Sequence, residues 1–272
     1  MTMEMVGSNG ARIATTVDGK EEAPWLILSN SLAADTRMWD GQIDLVTQTH
    51  RVIRYDTRGH GESDAPQGPY DFGLLISDMV AVLDHYGATR ADVMGLSLGG
   101  MTALGLALDH PERVGSMIVC DARADAPPPF VQSWDQRIAA IRAGGLESIV
   151  AGTLERWFTS AASSKRPQAI HLARQMILKT SPDGYIACAE ALKGLDYLHR
   201  LDTMKPAVLY VVGAEDAGAP KEAMAQMADR TPNGRLTVLP ALAHVPNMED
   251  PAAFAGAVRA WLADAAAKAG SR

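Results

Sequence analysis

Cysteine is scarce: Cys120 and Cys188 are the only two in 272 residues. They form no CxxC pair and no cluster with histidine, which argues against a disulfide scaffold or a cysteine-built zinc site. Both thiols are expected to be reduced and structural. No apolar run approaches the roughly 18 residues of a membrane span. Residues 1–10 carry an acid at Glu4 and lack the apolar stretch of a secretory leader. A long basic run is also missing, since 25 Lys and Arg face 32 Asp and Glu for a net charge of −7. Neither nucleic acid nor an anionic membrane is therefore an expected partner, and the expected compartment is the cytoplasm.

What remains is the composition of an ordinary globular enzyme, 47% hydrophobic and 21% charged, with enough apolar side chains for a large core. The most informative segment is Gly95-Leu96-Ser97-Leu98-Gly99. The apolar run Ala91-Asp92-Val93-Met94 precedes it, and a helical pattern from Gly100 to Leu108 follows. Gly-x-Ser-x-Gly between a strand and a helix is the nucleophile elbow, a strained turn that lifts a serine hydroxyl out of the sheet edge. Its glycines are needed where the chain doubles back on itself, and the helix start offers free N–H groups to developing negative charge. Ser97 is the expected nucleophile.

Short apolar runs alternate with helical stretches along most of the chain. Strands are expected near 11–17, 24–29, 51–55, 91–94, 114–120, 207–212 and 235–239. Helices are expected at 74–86, near 220–229 and from about 251 to 267. Alternation of this kind specifies an α/β architecture with a parallel sheet covered on both faces. Residues 124–200 break the rhythm. They open on Pro127-Pro128-Pro129 and continue in helical patterns without a strand, which reads as a helical lid inserted into a core made of residues 1–123 and 201–272.

A serine nucleophile needs a base, and the base needs an orienting carboxylate. In a strand–elbow–helix fold the chain order is serine, acid, histidine. His244, in Ala243-His244-Val245-Pro246-Asn247, is the histidine that follows the last strand. Asp216, in Gly213-Ala214-Glu215-Asp216, stands at the carboxyl end of a strand, where ligand chemistry gathers in open α/β sheets. Glu215 is its weaker neighbour. Asp121, at the end of the strand before the lid, is a rival acid whose alternative reading is a polar residue at the lid entrance. The N–H of Leu98 is one expected donor to an oxyanion. His60, in Gly59-His60-Gly61, is read as part of a tight structural turn beside the site. No metal or other cofactor is called for.

These motifs resemble the α/β-hydrolase superfamily, and more narrowly the 3-oxoadipate enol-lactonases of the β-ketoadipate pathway. The narrower likeness rests on Leu28-Ser29-Asn30-Ser31-Leu32, Arg37-Met38-Trp39-Asp40, Arg54-Tyr55-Asp56-Thr57-Arg58-Gly59-His60-Gly61, the elbow with Gly100-Met101, Glu155-Arg156-Trp157-Phe158-Thr159 and Gly213-Ala214-x-Asp216. It implies a mostly parallel eight-stranded sheet, a cofactor-free serine hydrolase acting on a small lactone or ester, and Leu32 as the second oxyanion donor. Departures are Ala33-Ala34 where the family shows glycine, Val245-Pro246 after the histidine, and an acid at Asp121 where a neutral residue is usual. Trp134 and Arg137, three apart on the first lid helix and so on one face, are the expected substrate-binding pair. Arg123 and Arg156 are the rivals of Arg137 as anchor for a substrate carboxylate.

Overall fold

A computed structural model of the chain describes residues 2–270. Its frame is an eight-stranded sheet in the spatial order β1-β2-β4-β3-β5-β6-β7-β8. The strands are β1 (Glu4–Ser8), β2 (Ala11–Asp18), β3 (Trp25–Ser29), β4 (Arg51–Tyr55), β5 (Ala91–Leu96), β6 (Val114–Cys120), β7 (Ala207–Gly213) and β8 (Gly234–Leu239). The β1–β2 and β2–β4 pairings are antiparallel, and all the others are parallel. The expected α/β-hydrolase architecture is the one observed. The strand β1 falls where the sequence showed no apolar run, because Glu4, Met5 and Gly7 face solvent on an edge strand. Its partner is set by an Asn9-Gly10 turn with φ of 43° and 76°, the left-handed pair that suits a tight hairpin.

The helices are α1 (Ile43–Val46), α2 (Phe72–His85), α3 (Leu98–Asp109), α4 (Pro128–Gly144), α5 (Glu147–Trp157), α6 (Ala162–Lys165), α7 (Pro167–Lys179), α8 (Pro182–Lys193), α9 (Lys221–Arg230), α10 (Pro246–Glu249) and α11 (Pro251–Gly270). Helix α2 begins two residues before the expected start because Asp71 caps it, accepting the Leu74 N–H at 2.8 Å. Every residue of β5 is buried, so helices must cover both faces of the sheet. No helix among the described residues is long and apolar enough to cross a membrane.

Helices α4 to α8 all lie between β6 and β7. The stems of this insertion are joined where Asp125 bridges Asp196 and where the Tyr197 and Leu198 N–H groups share the Ala124 carbonyl, at 2.7 and 2.8 Å. The far end of α5 is clasped to the core as well. Glu249 accepts the N–H groups of Thr159 and Ala243, each at 3.0 Å, and Val245 donates to the Trp157 carbonyl at 3.2 Å. One buried carboxylate thus ties the lid to the loop that carries His244.

Between β3 and β5 the connections diverge, since β4 lies to one side of β3 and β5 to the other. A crevice opens at such a switch point, beyond the carboxyl ends of the strands. The loops after β3, β5, β6, β7 and β8 converge there, beneath the lid.

Candidate active site

Ser97 occupies the turn from β5 into α3 with φ 54° and ψ −117°, a conformation that costs a non-glycine residue about 1–3 kcal/mol. Its neighbours make the turn possible. A Cβ on Gly95 would lie 2.4 Å from the Gly99 carbonyl oxygen, and one on Gly99 would lie 2.2 Å from that of Ser29. The Ser97 N–H is held by the Cys120 carbonyl at 2.9 Å. The strain is therefore balanced by hydrogen bonding and by the packing of α3 on the sheet.

His244 follows β8 and Asp216 follows β7. The His244 Nδ1–H donates to Asp216 Oδ2 at 2.8 Å, and Asp216 Oδ1 accepts the Gly218 N–H at 2.7 Å. Burial raises the Asp216 carboxyl, but His244 and the N–H groups of Gly218 and Ala219 outweigh it and hold the group below its ordinary range. Glu215 has no part in this pairing. Asp121, the rival acid, is completely buried where β6 gives way to the lid, and the side chain it meets is Asp216. Burial first, and then the charge of Asp216, push its carboxyl well above the usual range. Among the described residues Asp121, Asp216 and His244 are also the side chains that could together hold a metal ion, a use with which the Asp216–His244 hydrogen bond competes.

The loop after β3 presents Leu32 to the same cavity as Ser97. Ala33 beside it has φ 65°, the position where glycine would be free of strain. The Ala33 N–H donates to His60 Nε2 at 3.0 Å, and His60 Nδ1–H donates in turn to the Arg58 carbonyl at 3.1 Å. Among the described residues the N–H groups of Leu32 and Leu98 meet no acceptor. The Gly-His-Gly turn thus supports the loop after β3, and burial keeps His60 neutral by lowering its pKa to about 4.

Ser97, His244, Asp216, Asp121 and Leu32 line a cavity of about 310 Å³, at the small end of the usual ligand range. Its roof is aromatic and cationic. Phe130 meets Trp134 edge-on at 5.7 Å, and Trp134 lies 6.4 Å from the ring of Tyr185. The Arg137 guanidinium stacks 4.1 Å over the Trp134 ring. The Trp134 Nε1–H is buried without an acceptor.

The three candidate arginines differ. Arg123 is neutralised by Asp125 at 2.9 Å. Among the described residues Arg137 and Arg156 have no carboxylate partner. Burial lowers the pKa of Arg137, and Tyr185 offsets this only in part. Burial, followed by the repulsion of Arg137, lowers Arg156 to about 10. Tyr185, on α8, carries no spacing signal that could have marked it. Nor does Glu249, whose role depends on contacts remote in sequence.

A crevice at the switch point holding an elbow serine and an Asp–His pair is the arrangement of a hydrolase. The chain belongs to the α/β-hydrolase fold family, whose model matches residues 24–166. It is 35% identical to 3-oxoadipate enol-lactonase 2 of Acinetobacter baylyi, over 90% of each chain. The crystal structure of the enol-lactonase from Burkholderia xenovorans superposes with a TM-score of 0.92 at 31% identity, covering 96% of this chain and all of that one (100%). A Caulobacter protein carrying the name carbamate hydrolase RutD is 29% identical over 89% of this chain and 91% of its own.

Proposed function

We propose that the protein is a serine hydrolase that opens a small carboxylated lactone, with 3-oxoadipate enol-lactone, opened to 3-oxoadipate, as the best-fitting substrate. The observation that carries this reading is the pair Arg137 and Arg156, guanidiniums without a carboxylate partner in the cavity that also holds Ser97 and His244. Uncompensated, half-buried charge is costly in the empty protein and becomes favourable when an anion enters. The Trp134 Nε1–H offers that anion a further donor.

In this reading Ser97 Oγ attacks the lactone carbonyl while His244 takes its proton, and Asp216 steadies the imidazolium that forms. The oxyanion meets the N–H groups of Leu32 and Leu98, each such donor contributing about 3–4 kcal/mol to lowering the barrier. Collapse breaks the ring C–O bond. The leaving group is an enolate oxygen, which His244 protonates. Water, deprotonated by the same histidine, then releases the ring-opened acid and restores Ser97.

A panel of muconate-derived enol-lactones, neutral lactones, aryl esters and carbamates tests the assignment, with a fluorophosphonate probe on Ser97 alongside. Preference for the carboxylated enol-lactone supports it. Equal turnover of neutral aryl esters identifies a broad esterase, and preference for a carbamate moves the chain toward its third relative. A Ser97 that fails to label identifies a binding protein.

A further inference from the structure

Asp121 ends β6 at φ 45°, an uncommon conformation for a residue with a side chain, and its carboxyl group has no contact with water. Oδ1 accepts the Gly213 N–H at 2.8 Å. Oδ2 is buried with no N–H or O–H donor directed at it among the described residues, and the side chain it meets is Asp216. An oxygen of each carboxylate and a ring nitrogen of His244 lie within 4.8 Å of one another. Ionised carboxylates cannot both persist at such a distance in a dry site, and one shared proton removes the repulsion.

We propose that Asp121 is held as a neutral carboxylic acid whose O–H donates a hydrogen bond to Asp216, a positioning residue acting on His244 through that carboxylate. The assignment rests on the reading of Ser97, His244 and Asp216 as the reacting set. The proton belongs on Asp121 because of what surrounds each group. Asp216 receives hydrogen bonds from His244, Gly218 and Ala219, all of which favour its anion. Asp121 receives one, from Gly213, and faces the negative charges of Asp216 and Glu249. Cys120 beside it on β6 stays a thiol, raised by burial, and Arg123 on the following loop is held by Asp125. The extra donor fixes the Asp216 carboxylate and draws charge from it, which moderates the basicity of His244.

The rate at which a fluorophosphonate labels Ser97 across pH separates the possibilities, because its acid limb follows the deprotonation of His244. Asp121→Asn places an N–H where the O–H stood, so rate and acid limb stay close to wild type. Asp121→Ala removes the donor. Labelling then slows roughly tenfold to a hundredfold, the loss expected for a hydrogen bond to a charged group, and the acid limb moves to higher pH as Asp216 regains its full charge. An ionised Asp121 predicts the opposite, since Asp121→Asn would then delete a negative charge and move the limb to lower pH. That shift, or identical behaviour of the Asn and Ala variants, overturns the proposal alone. A wild-type Ser97 that never labels overturns the proposal together with the reading beneath it. Should Asp121→Ala fail to fold, the infrared difference between wild type and Asp121→Asn remains decisive. A protonated-carboxyl band lost in the variant supports the assignment, and the lack of any such band sinks it.

Discussion

Replacing Arg137 by methionine separates substrate grip from lid architecture. Methionine keeps an unbranched, flexible side chain, shorter than arginine, and a contact with the Trp134 ring, worth about 0.3–1.5 kcal/mol. That roughly matches the stacking lost with the guanidinium, about 0.5–1 kcal/mol at a partly exposed site. Removal of Arg137 also relieves Arg156 of a like charge, a gain that solvent screening holds to about 1 kcal/mol or less. The unliganded variant should therefore melt within roughly 4 °C of wild type. Binding is another matter. A hydrogen bond between a guanidinium and a carboxylate contributes about 1.5–3 kcal/mol, so kcat/KM for the carboxylated enol-lactone should fall roughly tenfold to a hundredfold. A neutral lactone of similar size should be nearly unaffected. Arg137→Lys should recover part of the loss, since it restores charge without the planar fork. Arg156→Met should behave similarly, and the double variant should lose less than the sum, because side chains gripping one carboxylate are coupled. The assay is kcat/KM for the charged and neutral substrates side by side, with thermal melts of each variant. Equal losses on both substrates would refute the reasoning and reduce Arg137 to a lid residue.

Ser97→Ala and His244→Ala should each abolish most turnover while leaving the melting curve intact, and the double variant should be little worse than either, because the groups act as a unit. Asp216→Asn should lower kcat by about four orders of magnitude by misorienting His244, and kinetics in which Asp121→Asn cost more would move the acid to the end of β6. His60 is pushed down to about 4 from an ordinary 6.5 by burial. Its stabilisation is complete above pH 6.5 and is lost as pH falls through 4, about 3 kcal/mol in all. Asp56 opposes it: burial raises that carboxyl to about 6, so its contribution is complete below pH 3.8 and is lost as pH rises through 6. Urea unfolding of wild type against His60→Gln should therefore show a gap that narrows between pH 6.5 and 4, and a gap of constant size would show that His60 titrates normally.

Much of the site could be read before any coordinates. The elbow is legible because steric demands within five residues permit little but Gly-x-Ser-x-Gly there, and the order of acid and histidine follows from the order of strands. Strand β2 and the half-exposed edge strand β8 were legible from their alternating apolar residues. Strands β3 to β7 announced themselves as short apolar runs because nearly all of their residues are buried in the sheet. The edge strand β1 did not, since half of its side chains face water and its pairing depends on a two-residue turn.

Local sequence, through apolar periodicity, glycine sterics and the turn chemistry of each segment, determined the α/β framework, the elbow that carries Ser97 and the helical character of the lid. Only the tertiary structure decided among residues of the same type. It paired Asp216 with His244 and set Asp121 against Asp216. It gave Arg123 a carboxylate partner while leaving Arg137 and Arg156 without one among the described residues, and it set His60 to hold the loop after β3 through the Ala33 N–H. The charge state and partner of a side chain depend on which distant segments close around it, since burial and Coulomb interaction act through space and sequence spacing carries neither.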